Sequence, residues 1–235
     1  MDSSNEMKTE KEELAARLEE AISRAAKRMG VEIEEGNQLK LNEYAHELQR
    51  WNKAYNLVGR RIGIEGLVSL FVDAISPLCI KGLLEEDKEV LDIGSGAGLP
   101  GIALYLAAGP FPLTLVESQR KKVTFLGHIR RKLGLEDVDI YPGRLEEMVK
   151  EEDRLSAYDL GLARAVMDPF RLVKLASPLV SGGGRLVVFV GKRDAEKIKR
   201  NKFKLEEKGL KLEAIRSTQR IVGKENFLAV IDIKQ

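Results

Sequence analysis

Residues 90–101 read Val-Leu-Asp-Ile-Gly-Ser-Gly-Ala-Gly-Leu-Pro-Gly, and they limit the possible folds more than any other stretch. An apolar run carries one acid, Asp92. Gly94, Gly96 and Gly98 follow, and then apolar residues able to open a helix. So tight a turn after a strand needs residues without a β-carbon, both for positive φ and for close backbone approach to a ligand. A nucleotide-type ligand is the usual reason to build one. The glycines alone are also compatible with a plain strand-to-helix turn.

The dinucleotide fingerprint is G-x-G-x-x-G, with its acidic ribose contact about twenty residues on. Here the glycines read G-x-G-x-G, with a carboxylate just upstream. That variant resembles the first motif of class I S-adenosylmethionine-dependent methyltransferases. Their cofactor has no pyrophosphate for a helix N-terminus to hold. It does have ammonium and ribose donors that a carboxylate such as Asp92 can meet. The segment Leu-Thr-Leu-Val-Glu-Ser reads as a second strand ending at Glu117. A carboxylate there can accept both ribose hydroxyls in a charge-assisted bidentate pair.

Composition sets outer limits. The chain has 235 residues, 43% hydrophobic and 32% charged, enough for one domain with a sizeable core plus an extension. The expected division is a helical extension over 1–65, packed on a cofactor-binding domain over 66–235. A net charge of +2 does not mark a nucleic-acid binder, so any basic surface must be local. With Cys79 alone, neither an internal disulfide nor a cysteine metal cluster can form. His46 and His128 lack a metal spacing, and no metal is expected. No signal peptide is visible, and no apolar run approaches the ~18–20 residues of a membrane span. The expected setting is a reducing, cytoplasmic compartment.

Residues 1–6 read as disordered. Leu14, Leu18, Ile22 and Ala25 recur at helical spacing over Met7–Met29, ended by Gly30. A second helix is expected over Gln38–Lys53, with Leu41, Tyr44, Leu48 and Trp51 on one face. A third runs from Ile64 to Ser76. Strands then alternate with helices: strands at Glu89–Ile93, Leu113–Glu117, Val138–Tyr141 and Tyr158–Ala163, and helices at Gly101–Ala108, Lys121–Leu133, Leu145–Val149 and Pro169–Leu179. Ser181–Gly184 reads as a sharp stop before a strand over Arg185–Val190. A charged helix over Ala195–Lys208 follows, and then two strands, Leu212–Ile221 and Asn226–Lys234, joined at Gly223–Lys224. Such alternation argues an α/β doubly wound parallel sheet with a C-terminal antiparallel hairpin.

Several blocks together resemble the RsmG (GidB) family of small-subunit ribosomal RNA methyltransferases. Arg50–Val58 is similar to its K-W-N-K-x-x-N-L-T block, and Gly94–Leu104 to its G-T-G-x-G-L-P-G-I-P-L. Arg120–Leu126, Gly143–Glu147 and Ala163–Val166 resemble G-K-R-x-x-F-L, x-R-V-E-E and S-R-A-F. The resemblance covers about residues 40–190, in order. It implies a Rossmann-like class I fold, S-adenosylmethionine as cofactor, and methylation of guanine position seven in small-subunit (16S) ribosomal RNA. By position it puts cofactor contacts at Gly94, Leu99, Leu145, Glu146 and Arg164, beside the glycines Gly96 and Gly98 and the ribose partner Glu117. The lesser reading of Arg164 is structural, as a partner of Asp92 or Asp159. The implied partner is ribosomal RNA or the small subunit, bound by a monomer. RNA contacts are expected at Lys121, Lys122, Arg144 and Lys192, although Arg144 also reads as a plain surface charge. Trp51 and Tyr55 read as core aromatics or base-stacking residues. The family's Arg-His-x-x-Asp-Ser is replaced by Ser69, Leu70 and Ala74 around a retained Asp73, and Val166 replaces an aromatic. A different acceptor, or a cofactor-binding RNA module without turnover, therefore stays open.

The residues suit a base-free transfer. N7 of guanine carries a lone pair and needs no proton removed, so rate must come from alignment. Arg164 follows Ala163 where amino-group methylases carry Asn/Asp-Pro-Pro-aromatic. Cys79 lies in an apolar, helix-like context and not where a cytosine-attacking thiolate would be.

Overall fold

Three amphipathic helices come before the first strand. They are α1 (Ser3–Met29), α2 (Glu35–Tyr55) and α3 (Ile64–Ile75). The computed structural model describes residues 3–84, 87–164 and 167–234; Ala165 and Val166, and with them the replaced aromatic, lie outside these. The apolar stripe of α1, Leu14, Leu18, Ile22 and Ala25, is buried. Gly30 at φ 72° ends the helix. The disorder expected over 1–6 is corrected from Ser3 onward: no glycine or proline separates Ser3 from Met7, and a nucleated helix propagates through such a stretch.

The remaining elements alternate as β1 (Val90–Ile93), α4 (Gly101–Ala108), β2 (Leu113–Val116), α5 (Arg120–Leu133), β3 (Val138–Tyr141), α6 (Leu145–Met148), β4 (Tyr158–Arg164), α7 (Pro169–Ala176), β5 (Val180–Val190), α8 (Lys192–Arg200), α9 (Phe203–Glu206), β6 (Leu210–Ser217), α10 (Gln219–Val222) and β7 (Phe227–Ile233). They form one seven-stranded sheet in the order β3-β2-β1-β4-β5-β7-β6. β1 to β5 pair in parallel, and β7 runs antiparallel to both β5 and β6. Chain direction along the sheet reverses at β1, and ligand crevices form at such a reversal, beyond the carboxyl ends of the strands.

Both sheet faces are covered, so β1 and β2 are buried along their whole length and apolar except at Asp92 and Thr114. Val90, Leu113, Leu162 and Val230 share one core with α1–α5, while Leu91, Ile93, Val116 and Val188 share the other with α6–α9. The N-terminal helices therefore pack into the same core as α4 and α5. No helix among the described residues is long and apolar enough to cross a membrane.

Three local expectations need correction. Ser181–Gly184 belongs to β5 as a bulged excursion: the register passes from Tyr158–Val180 directly to Leu160–Arg185. Gly184 permits it, because a β-carbon there would lie 2.7 Å from the Asp159 carbonyl oxygen. The charged helix over Ala195–Lys208 is two helices, since the Asn201 amide turns back to the Lys197 carbonyl at 2.8 Å and ends α8. The strand expected to reach Ile221 stops at Ser217. Buried Thr218 ties its N–H and hydroxyl to the Asn226 carbonyl at 2.9 and 3.1 Å, and the next residues coil into α10.

Candidate active site

β1 delivers the chain into the glycine turn at the sheet reversal. Gly94, Gly96 and Gly98 adopt φ of 65°, 61° and 87°, the left-handed region that side chains disfavour. Gly98 donates to the Ser95 carbonyl at 2.7 Å, and Ser95 donates to Val116 on β2 at 3.0 Å. α4 starts at Gly101, whose N–H donates to Asp92 Oδ2 at 2.8 Å. A β-carbon on Gly101 would sit 2.7 Å from that same oxygen.

Asp92 is fully buried, and burial pushes its carboxyl up to about 7 although the Gly101 N–H and Arg164 favour the charged form. Its role is to hold the start of α4. It lines neither of the cavities described next, and among the described residues the one hydrogen bond its carboxylate accepts is from the Gly101 N–H.

Glu117, at the end of β2, is the acid that faces the crevice. Its Oε2 accepts from the Gly96 N–H at 3.0 Å and its Oε1 from the Gln119 N–H at 2.8 Å. Lys122 Nζ lies 3.8 Å away. One carboxylate thus fixes the glycine turn and keeps lone pairs for a ligand.

Two cavities flank the turn. The first, about 360 Å³, is walled by Ile93, Val116, Leu145 and Met167, with Glu117 at its polar end and Arg144 and Glu146 at its rim. Ser118, Gln119 and Lys122 complete a mostly polar lining, in which the four apolar side chains offer flat faces for a base and the fixed Glu117 carboxylate an acceptor for ribose hydroxyls. The second, about 430 Å³, is lined by Leu57, Val58, Leu70, Asp73, Leu99, Lys122 and Arg164. Gly94 and Lys122 border both.

Of the residues expected at the cofactor, Gly94, Glu117, Leu145 and Glu146 line the first cavity. Gly96, Leu99 and Arg164 line the second. Gly98 lines neither and instead faces α2. Arg164 pairs with Asp73 at 3.5 Å, and not with Asp92 or Asp159. Among the expected RNA contacts, Lys122 and Arg144 border cavities. Lys121 caps α2 by donating to the Tyr55 carbonyl at 2.9 Å, and Lys192 is paired with Glu225 at 3.2 Å. Trp51 is half-buried against Phe125 and His128, whereas Tyr55 is exposed.

Three contributors were not legible as site residues. Tyr44, on the buried stripe of α2, donates its hydroxyl to the Ala97 carbonyl and so anchors the glycine turn from the helical extension. Asn52 clamps the loop that walls the second cavity: its amide donates to the Gly59 carbonyl at 2.7 Å and its Oδ1 accepts from the Val58 N–H at 2.9 Å. Asp73 is the buried acid of α3, whose other acid, Glu65, is exposed in its first turn; a carboxylate among apolar neighbours is itself a signal, because buried carboxylates are rare.

Glu43, His46 and Glu47 bring possible ligand atoms within 4.8 Å of one another. Their carboxylates already face Lys11, Arg50, His128 and Lys132. Burial alone would raise the Glu47 carboxyl, yet hydrogen bonds from Arg50, His128 and Lys132 hold it down to about 2. This cluster is an ion-pair network that ties α2 to α5.

Gly98 is expected to be the least replaceable residue of the turn. A β-carbon there would lie 2.6 Å from Ile102 and 2.8 Å from the Tyr44 hydroxyl, at a φ that side chains disfavour. Gly98→Ala should cost about 2–4 kcal/mol in denaturant unfolding and weaken S-adenosylhomocysteine binding with it. Unchanged stability would show that the turn tolerates repacking.

A sheet reversing beside a glycine turn, with an acid ending β2 and an antiparallel β7, defines a class I S-adenosylmethionine-dependent methyltransferase. The fold is shared with a SAM-dependent methyltransferase from Aquifex aeolicus, at a TM-score of 0.56 and 20% identity over 71% of this chain and 92% of that one. Residues 37–226 match the family model described as rRNA small subunit methyltransferase G, GidB, and the chain belongs to that family. The ribosomal RNA small subunit methyltransferase G of Alkaliphilus metalliredigens is 36% identical, covering 72% of this chain and 71% of its own. That of Caldanaerobacter subterraneus is 32% identical, covering 83% and 81%.

Proposed function

We propose that this chain transfers the methyl group of S-adenosylmethionine to N7 of a guanine in small-subunit ribosomal RNA. The observation that carries this reading is the pair of cavities meeting at Gly94, one with the Glu117 carboxylate and the other with Arg164 and Asp73. Bound S-adenosylmethionine supplies an electrophilic methyl group on a sulfonium. Glu117 would accept from the ribose hydroxyls of that cofactor, and Leu145, Ile93 and Val116 would wall its adenine. Arg164 and Lys122 border the acceptor side, where the base enters. N7 attacks through its own lone pair, so none of these side chains has to remove a proton, and alignment across the glycine turn supplies the rate. Arg144 and Lys122 at the rims suit RNA phosphate, which Lys121 and Lys192 reach only by leaving their present partners.

The same reading divides the chain into a helical extension over 1–65 and a methyltransferase domain over 66–235, acting as a monomer in the cytoplasm without a metal. Leu70 lines the acceptor cavity where the resemblance expects histidine, and this favours a different RNA acceptor as the second reading. The test is transfer of radiolabelled methyl to small ribosomal subunits lacking their own guanine methylation, followed by nucleoside analysis. Label in 7-methylguanosine is the expected result. Label in another nucleoside, or none while S-adenosylhomocysteine still binds, would move the acceptor elsewhere.

A further inference from the structure

Asp73 is the buried acid of the second cavity. Its Oδ2 lies 3.5 Å from Arg164, and its Oδ1 accepts from the Asn226 amide at 3.0 Å. Two of roughly four acceptor positions on the carboxylate are thereby used. Arg164 ends β4, and the register that pairs Ile93 with Ala163 carries it alongside Gly94. Along one wall the order is therefore an acceptor (Asp73), a donor (Arg164), and then the turn that divides the acceptor side from the nucleoside cavity.

From this order we propose that Asp73 reads the target base as guanine, by accepting from its N1–H and its 2-amino group. The proposal deepens the assignment above and rests on the second cavity being the acceptor site. The Watson–Crick and Hoogsteen edges of guanine run two donors, then the O6 acceptor, then N7. Laid along the wall, the donors meet Asp73, O6 meets Arg164, and N7 falls at Gly94, beside the cofactor cavity. Adenine offers an acceptor at N1 and cytosine one at N3, each opposed to a carboxylate. Uracil offers a single N3–H and has no N7. Guanine alone brings two adjacent donors and a ring nucleophile.

The same contact strengthens during reaction. As the N7–methyl bond forms and the sulfur–methyl bond breaks, the electron pair of that bond stays on sulfur and the positive charge passes to the purine. N1–H becomes a stronger donor, and a carboxylate already in place stabilises the cationic base more than the neutral one. The Arg164 and Asn226 contacts fix Asp73 before the base arrives.

The experiment uses small subunits reconstituted with semi-synthetic RNA that carries guanine or inosine at the methylated position. Inosine keeps N1–H, O6 and N7 and lacks only the 2-amino donor. The wild-type protein is expected to prefer guanine by on the order of 10- to 100-fold in kcat/KM, the worth of one charge-assisted hydrogen bond. Asp73→Asn should lower transfer to guanine and collapse that preference to about threefold or less, with S-adenosylhomocysteine affinity unchanged. Asp73→Glu, which retains the carboxylate, should keep a preference for guanine at a reduced rate. A wild-type protein indifferent to inosine, or an Asp73→Asn protein with undiminished preference, overturns the proposal and leaves the assigned activity standing. Absence of any transfer to guanine subunits by wild type overturns both.

Discussion

Glu117→Ala is expected to weaken S-adenosylhomocysteine binding by on the order of 100- to 1,000-fold, since hydrogen bonds to a charged acceptor are worth roughly 1.5–3 kcal/mol each. Two losses combine. The ribose hydroxyls lose their acceptor, and the Gly96 and Gln119 N–H groups, now bonded to Glu117 at 3.0 and 2.8 Å, lose theirs. The second loss loosens the turn that shapes the cavity. Glu117→Gln keeps one acceptor oxygen but turns an NH2 toward a backbone donor, so an intermediate loss of about tenfold is expected. Calorimetric titration measures both, with the melting temperature as a control for folding. An alanine variant within threefold of wild type would mean that the nucleoside sits elsewhere.

The second large effect concerns stability. Burial raises the Asp92 carboxyl from 3.8 to about 7 in the folded state. The folded chain then holds a proton that the unfolded chain has released. The associated stability is complete below the unfolded value near 3.8, falls as pH rises toward 7, and is flat above. A shift of that size corresponds to about 4 kcal/mol across the window. Asp92→Asn cannot titrate, so the stability difference between wild type and variant should swing by about that amount between pH 4 and pH 8, in the variant's favour at pH 8. Denaturant unfolding at several pH values measures it. Parallel profiles for the two proteins would show that Asp92 keeps an ordinary acidity inside the fold.

The glycine turn, the alternation of strands and helices, and the apolar stripes of α1 and α2 were legible because each depends on local periodicity or backbone freedom. The fold followed from them, and from the resemblance. Misread elements failed where a tertiary contact overruled a local pattern. Thr218 ends β6 through a bond to Asn226, eight residues on, and β5 accepts only a glycine at 184 because the Asp159 carbonyl lies opposite. At the site, Glu117 was legible from its place after β2. Asp92 looked like its twin, yet the side-chain alternation of β1 turns it under the start of α4 and away from the crevice. The Tyr44 and Asp73 contacts could not be read, because they join segments 53 and 91 residues apart in the chain, at the Ala97 carbonyl and Arg164.

The central claim is that the glycine turn separates a cofactor cavity from an acceptor cavity. A crystal structure with bound S-adenosylhomocysteine tests it most directly. The predicted result has both ribose hydroxyls on Glu117, the adenine against Leu145, and the sulfur facing the cavity that holds Arg164 and Asp73. A nucleoside seated in the Arg164 cavity, or outside both, would contradict the account.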